Sequence, residues 1–284
     1  MIADIAYAEP VGRAHLLDLY VPEGTGLPLI VWTGGSAWLA DNGKDSAGQI
    51  AEVFNPWGYA VAGVSIRAST QATFPAQLDD IRAAIRFLRA NAGTYGVDPE
   101  RIAVMGDSSG GWTTVMAALN DDGVRVAVAF YPPTDFRRMN EQMLPGACEA
   151  FNGMMGLTDC HDDPLSPESR LVGGPIQTSP VAEKASPLSY VGATSPPVML
   201  LHGGQDPLVP HGQSVLLYEA LRAAGATAAF YSVPAAGHDL RAVLDPSTQD
   251  GTTLRSTKGG HEEVTHTPPT WEAVEAFIRR AFQH

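Results

Sequence analysis

The feature that most constrains the fold is the regular alternation of short apolar runs with helical repeats. We predict the apolar runs to be strands at 15–22, 27–35, 59–66, 101–106, 124–131, 196–204 and, as the last strand, 228–233. Apolar residues recur at helical spacing in 76–91, 112–119, 211–223 and 270–282. Continuous apolar runs of this length are typical of strands that are buried on both faces. The alternation therefore predicts an α/β fold with a mainly parallel central sheet flanked by helices.

Two segments interrupt this alternation within what we expect to be a single domain over 1–284. Segment 132–191 is long, proline-bearing and weakly periodic, which predicts a cap or substrate-loop insertion. Segment 245–269 is polar and rich in glycine and threonine, which predicts an additional polar and mobile loop beside the site. With 284 residues, 44% of them hydrophobic, the chain is long enough for one large core.

The charge balance excludes some classes of partner. The chain has 31 acidic residues and 18 Lys plus Arg, a formal net charge of −13 that repels nucleic acid and anionic lipid. We therefore expect no nucleic acid and no membrane partner, and a neutral or weakly charged substrate. The sequence MIADIAYAEP has no basic region followed by an apolar run, so we expect no export signal there. Both a cytoplasmic protein and a secreted one whose leader has been removed fit this pattern.

The chain has two cysteines, Cys148 and Cys160. Two residues cannot form a zinc cluster or a disulfide framework, so we expect no metal site built from them. Their spacing is compatible with one short disulfide and equally with two buried thiols.

The strongest local signal is the pentapeptide Gly106-Asp107-Ser108-Ser109-Gly110, which lies between a predicted strand and a predicted helix. In a strand-to-helix elbow of this kind the serine takes a strained backbone conformation, and glycines on either side avoid collisions there. The helix that follows presents free N–H groups near the serine hydroxyl. We predict Ser108 to be a nucleophile.

A serine nucleophile needs a base and an acid that orients the base. Asp206 follows strand 196–204, and His238 follows strand 228–233. Because both positions follow carboxyl ends of strands, we expect them at the sheet edge that carries Ser108. The order Ser, Asp, His is that of α/β-hydrolases. Asp107, Asp239 and His202 are the alternative acids and base, and we rank them below Asp206 and His238.

The tetrahedral intermediate of acyl transfer also needs main-chain donors for its negative oxygen. One predicted donor is the N–H of Ser109, the residue after the nucleophile. The other lies in Gly34-Gly35-Ser36-Ala37-Trp38, which ends an early strand, and we choose Ser36 and Ala37.

The combination resembles the α/β-hydrolase superfamily, and more narrowly the bifunctional feruloyl and acetyl xylan esterase-like family. The usual H-G-G-G-W loop of related esterases has here Gly34 in place of histidine, with Ser36 and Ala37 in place of glycines. Further similar stretches are LDLYVP (17–22), the run from FPAQ to GDSSGG (74–111), SPESRLVGGPI (166–176) and HGGQDPLVP (202–210). The resemblance implies hydrolysis of acetyl or feruloyl esters of plant polysaccharide without a metal or organic cofactor.

Several functional details follow as hypotheses. Six residues, which together offer an apolar wall for an acyl group, are candidate substrate contacts: Trp38, Met139, Met143, Phe151, Met154 and Met155. An equal alternative is that they anchor the insertion to the core. The main hypothesis is a carboxylesterase acting on a small-molecule or polysaccharide-linked ester, as a monomer or homodimer. The alternatives are an amide-cleaving serine hydrolase, arylformamidase-like or peptidase-like, and a catalytically silent binding protein.

Overall fold

A computed structural model describes residues 1–120, 123–258 and 261–283 of the chain. Within these residues, ten strands form one sheet in the order β1-β2-β4-β3-β5-β6-β7-β8-β9-β10. The strands are β1 (Ile2–Ala6), β2 (Leu16–Tyr20), β3 (Leu27–Thr33), β4 (Ala60–Val64), β5 (Val97–Asp107), β6 (Val126–Phe130), β7 (Val198–Gly203), β8 (Ala228–Val233), β9 (Thr253–Lys258) and β10 (His261–Thr265). The six central strands, β4-β3-β5-β6-β7-β8, are all parallel, and the flanking strands pair antiparallel.

Helices connect the strands and cover both faces of the sheet. They are α1 (Ala47–Phe54), α2 (Ala76–Ala90), α3 (Ala92–Tyr95), α4 (Ser109–Asn120), α5 (Met139–Gln142), α6 (Ala147–Met155), α7 (Pro167–Val172), α8 (Pro180–Lys184), α9 (Gly212–Ala223), α10 (Leu240–Leu244) and α11 (Trp271–Ala281). Apolar residues of α2, α4 and α9 belong to one buried cluster, and those of α1, α10 and α11 belong to another.

The central strands contribute side chains to both clusters. In β3, Leu29 and Val31 pack into the first cluster, and Ile30 and Trp32 pack into the second. Because successive side chains of a strand point to opposite faces, a strand buried on both sides has an unbroken apolar sequence. The predicted fold class, a mainly parallel sheet flanked by helices, is thus confirmed.

The region after β8 differs from its prediction. Strand 228–233 was expected to be the last, and 245–269 an additional polar loop, but β9 and β10 form a hairpin in this segment and extend the sheet. The hairpin is polar because it lies at the edge, where Arg255 contacts Glu262 of the facing strand and Glu219 of α9. Charged side chains on an edge strand discourage pairing with another molecule. Because β9 and β10 are polar, they lack the apolar run by which the other strands were predicted.

Segment 132–191 holds four short helices, α5 to α8, rather than an irregular loop. Cys148 at the start of α6 is bonded to Cys160, and their Cα atoms are 5.2 Å apart. The sequence left a disulfide and two thiols as alternatives, and the structure has the disulfide. That the segment acts as a cap stays a prediction.

Among the residues that the structure describes, no helix is long and apolar enough to span a bilayer.

Candidate active site

Ser108 lies at a sharp turn between β5, which ends at Asp107, and α4, which begins at Ser109. Its φ is 54°, in the left-handed region that non-glycine residues rarely adopt. Two contacts hold this conformation: the Ser108 N–H donates to the carbonyl of Phe130 at 2.9 Å, and its own carbonyl accepts the N–H of Trp112 at 2.9 Å. Such strain is typical of a nucleophile elbow.

The flanking glycines are required by close main-chain packing. A Cβ at Gly110 would lie 2.0 Å from the carbonyl oxygen of Thr33, at the end of β3. A Cβ at Gly106 would lie 2.5 Å from the carbonyl oxygen of Gly110. The start of α4 therefore contacts β3 at a distance that only glycine permits, which presents Ser108 at the sheet edge.

Two further strand ends bring Asp206 and His238 to the same edge. Asp206 lies just beyond β7, where its Oδ1 accepts the N–H groups of Leu208 and Val209, each at 2.9 Å. His238 lies just beyond β8, in a loop that packs tightly on the β7 end: a Cβ at Gly203 would be 2.2 Å from the Ala236 carbonyl oxygen. Parallel strands with short connections thus direct three loops to one point.

The three side chains form a continuous hydrogen-bonded series. His238 Nδ1 lies 2.7 Å from Asp206 Oδ2, and His238 Nε2 lies 3.0 Å from Ser108 Oγ. The Asp206 side chain is fully buried, and 14% of the His238 side chain is exposed. Although burial alone would raise it, hydrogen bonds from His202 and His238 hold the pKa of Asp206 below its ordinary value. Asp206 is therefore an anion that orients the imidazole with Nε2 toward the serine.

The alternative acids have other contacts. Asp107 Oδ1 accepts the N–H of Gly35 at 2.9 Å, and its Oδ2 accepts the Tyr131 hydroxyl at 3.3 Å. Burial raises the pKa of Asp107. Asp239 is exposed and caps α10 by accepting the N–H of Ala242 at 2.9 Å. Neither carboxylate is hydrogen-bonded to His238, so the geometry favours Asp206.

Tyr131 is a site residue that the sequence analysis missed. Its ring centroid lies 4.3 Å from that of His238, and its φ of 39° is also left-handed. The ring packs against the imidazole with the two planes tilted by 51°, and its hydroxyl donates to Asp107. The available signal was its position directly after β6, at the carboxyl edge of the sheet.

The loop after β3 brings main-chain N–H groups beside Ser108, with one difference from the prediction. The Ser36 N–H already donates to the Ser109 hydroxyl at 2.8 Å, so it is not free to bind a substrate oxygen. Ala37 and Trp38 both have positive φ, 52° and 56°. Over the described parts of the chain, no acceptor bonds the N–H of Ala37 or of Ser109. These two donors, both beside the nucleophile, remain from the predicted set.

A cavity of about 390 Å³ opens beside Ser108 and His238. Its other lining residues are Gly35, Ser36, Ala37, Gln49, Asp107, Tyr131, Leu208, Asp239, Leu240 and Arg241. A larger cavity, about 680 Å³, is lined by Arg125 and Pro197, which precede β6 and β7. That cavity lies at the opposite edge of the sheet, far from the serine.

The predicted substrate wall does not line the cavity beside Ser108. Met139 is fully buried in the core, and Phe151 packs against His161 with ring centroids 4.5 Å apart. Met154 is 60% exposed, and Trp38 packs edge-on against Trp112. Met143 and Met155 are half-buried. None of these six borders it among the residues that the structure describes.

No group of three or more His, Cys, Asp or Glu side chains within 1–120, 123–258 and 261–283 is arranged to hold a metal ion.

Comparison with known proteins finds esterases among the relatives of this chain. Esterase LipQ of Mycobacterium tuberculosis is 31% identical, over 85% of this chain and 58% of its own length. The probable carboxylic ester hydrolase LipM of the same organism is 29% identical, over 77% of this chain and 51% of its own length. The chain thus spans between half and three fifths of these relatives.

Solved structures show the same fold. A truncated form of a carbohydrate esterase from gut microbiota superposes with a TM-score of 0.79 at 25% identity, covering 99% of this chain and 96% of that one. The bifunctional GH43-CE protein of Bacteroides eggerthii superposes with a TM-score of 0.71 at 30% identity, covering 83% of this chain and 35% of that one. The family model described as BD-FAE matches residues 17–221. The resemblance inferred from the sequence is confirmed: this chain belongs to the BD-FAE family of the α/β-hydrolase superfamily.

Proposed function

We propose that this chain is a serine carboxylesterase. Ser108 is acylated by the substrate, and water then releases the acyl group as the free acid. The observation that carries the proposal is the unbroken series Asp206, His238, Ser108, with hydrogen-bond distances of 2.7 and 3.0 Å. A serine hydroxyl is a weak nucleophile unless a base accepts its proton, and this series supplies that base.

The proposed reaction begins with transfer of the Ser108 proton to His238 Nε2 as Oγ attacks the ester carbonyl carbon. The negative oxygen of the tetrahedral intermediate accepts hydrogen bonds from the N–H groups of Ala37 and Ser109. His238 then returns the proton to the leaving alcohol, which gives the acyl-enzyme. In the second half, His238 deprotonates a water molecule that attacks the acyl carbon, and the acid leaves. Because the imidazole must be unprotonated to act as base, activity falls on the acid side of the pH profile.

For the substrate we propose a small acyl or aryl ester, including acetyl and feruloyl esters of plant polysaccharide. Family membership supports this class, and one structural relative is itself a carbohydrate esterase. The cavity supports a polar alcohol, because Gln49, Asp239 and Arg241 lie along its wall. Hydroxyl-rich sugars need such hydrogen-bonding groups rather than an apolar surface.

The test is labelling with a fluorophosphonate, which reacts with an activated serine. We expect one adduct, on the peptide that contains Ser108, and both the adduct and hydrolysis of p-nitrophenyl acetate to be lost in Ser108→Ala. Absence of labelling in folded wild-type protein would end the proposal. Faster turnover of the matched p-nitroanilide than of the ester would reassign the enzyme to amides. A panel of acetyl, butyryl, octanoyl and feruloyl esters then defines the acyl group.

A further inference from the structure

His202 is a second buried histidine in contact with Asp206. It lies in β7, and its side chain is 0% exposed. Its Nε2 lies 2.9 Å from the carbonyl oxygen of Val209 and 3.3 Å from Asp206 Oδ2. Its Nδ1 lies 2.8 Å from the Ser214 hydroxyl in α9. The ring thus bridges α9 and the loop that carries Asp206.

This network assigns the hydrogens of the ring. A carbonyl and a carboxylate are both acceptors, so Nε2 carries a hydrogen, which points to the Val209 carbonyl at 2.9 Å with Asp206 Oδ2 beside it at 3.3 Å. The Ser214 hydroxyl is able to donate to Nδ1, so a neutral ring satisfies every contact. The neighbouring His211 ring lies 5.5 Å away, and burial lowers the pKa of His211 to about 4.

Asp206 therefore receives donors on both oxygens. Its Oδ1 accepts the N–H groups of Leu208 and Val209, and its Oδ2 lies 2.7 Å from His238 Nδ1 and 3.3 Å from His202 Nε2. Because both histidine rings contact Oδ2 from fixed directions, the carboxylate is held in one orientation. We infer that His202, held by Ser214, is a positioning residue that fixes Asp206 Oδ2 toward His238; this inference rests on the proposed function.

His238 is contacted by groups from three strand ends. The groups that face His238 are Asp206 from the β7 loop, Tyr131 from the β6 end, and Asp107 and Ser108 from the β5 end. Of these, Asp206 is the only carboxylate hydrogen-bonded to the ring among the described residues. If His202 no longer holds Oδ2 toward His238, the displaced carboxylate stabilises the protonated imidazole less.

The experiment compares His202→Leu with His202→Gln by kcat, KM and pH-rate profile on p-nitrophenyl acetate. Leucine removes the donor, so we expect kcat to fall by about 100-fold, as a misplaced catalytic group does, with KM unchanged. The acid limb of the profile moves to lower pH, because a displaced Asp206 stabilises the protonated ring less. Glutamine places an amide N–H near the position of Nε2, so we expect it to restore most of kcat and the wild-type limb. Ser214→Ala, a smaller change, should lower kcat by about tenfold, as expected for one lost hydrogen bond.

The matched control is His15→Leu. His15 is also buried between a carbonyl and a carboxylate, with Nδ1 3.0 Å from Pro10 O and Nε2 3.2 Å from Asp80 Oδ1, but it does not contact Asp206, His238 or Ser108. It should lower stability and leave the pH profile of the folded protein unchanged. A folded His202→Leu with wild-type kcat, or a loss of kcat that glutamine does not restore and that leaves the acid limb in place, would overturn the inference. If wild type itself fails to label at Ser108, the proposed function fails instead.

Discussion

The sheet edge that carries Ser108 and segment 132–191, the predicted insertion between β6 and β7, are stabilised in different ways. At the edge, main chains approach so closely that a single Cβ on Gly110 would collide with a carbonyl oxygen 2.0 Å away. In the insertion, short helices are held by a disulfide and by local contacts such as the Ser166 hydroxyl, which caps α7 and donates to the His161 carbonyl at 2.7 Å. The site is thus fixed by backbone geometry and the insertion by side chains, so equal substitutions have unequal effects in the two regions.

The largest expected effect is in the hydrogen-bonded series of Asp206, His238 and Ser108. Asp206→Asn keeps the size of the side chain but no longer holds His238 with Nε2 free to accept a proton, so we expect kcat on p-nitrophenyl acetate to fall by about 10⁴-fold. The matched control is Asp239→Asn, adjacent to His238, because asparagine also caps a helix and the α10 cap should survive. A similar loss in both variants would mean that charge near His238, rather than its orientation, controls the rate.

Glycine substitutions test whether the sheet edge that carries Ser108 excludes an added Cβ atom, as its packing indicates. Gly110→Ala places a methyl group against the Thr33 carbonyl, and we expect the free energy of unfolding to fall by at least about 3 kcal/mol, because main-chain atoms cannot move aside. Gly153→Ala in α6 is the counterpart in the insertion: its Cβ would meet nothing within 4 Å. There we expect a gain of about 0.5–1 kcal/mol from helix propensity. Urea denaturation measures both changes in the free energy of unfolding. Changes of the same sign would contradict the proposed difference between the two regions.

The disulfide gives the corresponding test of the insertion. The bond joins residues 12 apart. For a closed loop of this size, loss of the cross-link costs roughly 3 kcal/mol in the chain-entropy model. We therefore expect Cys148→Ser together with Cys160→Ser to lower the midpoint of urea unfolding while kcat/KM on p-nitrophenyl acetate stays within about twofold in the folded protein. A large loss of activity on this small ester would show that the insertion shapes the site.

How much of the molecule the sequence predicts follows the same division. The central strands were predictable because burial on both faces leaves an unbroken apolar run, as in β3 and β7. Ser108, Asp206 and His238 could be placed at one sheet edge because each lies within five residues of the carboxyl end of such a strand. Hairpin β9-β10 was missed because an edge strand is polar, and Tyr131 because an aromatic residue at a strand end resembles core. The use of the Ser36 N–H by Ser109 depends on a side-chain rotamer that no sequence pattern specifies.

The smallest expected effect concerns the predicted methionine wall. Met154 is 60% exposed in α6 and does not line the cavity beside Ser108, so Met154→Ala should leave kcat/KM within about twofold for both acetyl and feruloyl esters. Leu240 does line that cavity, and Leu240→Ala removes apolar area next to the nucleophile. Because a lost apolar contact costs about 1–3 kcal/mol of discrimination, we expect this control to change the feruloyl-to-acetyl ratio by tenfold or more. A Met154 variant that shifts the ratio as much as the Leu240 variant would place α6 over the bound acyl group, and the insertion would then be a cap.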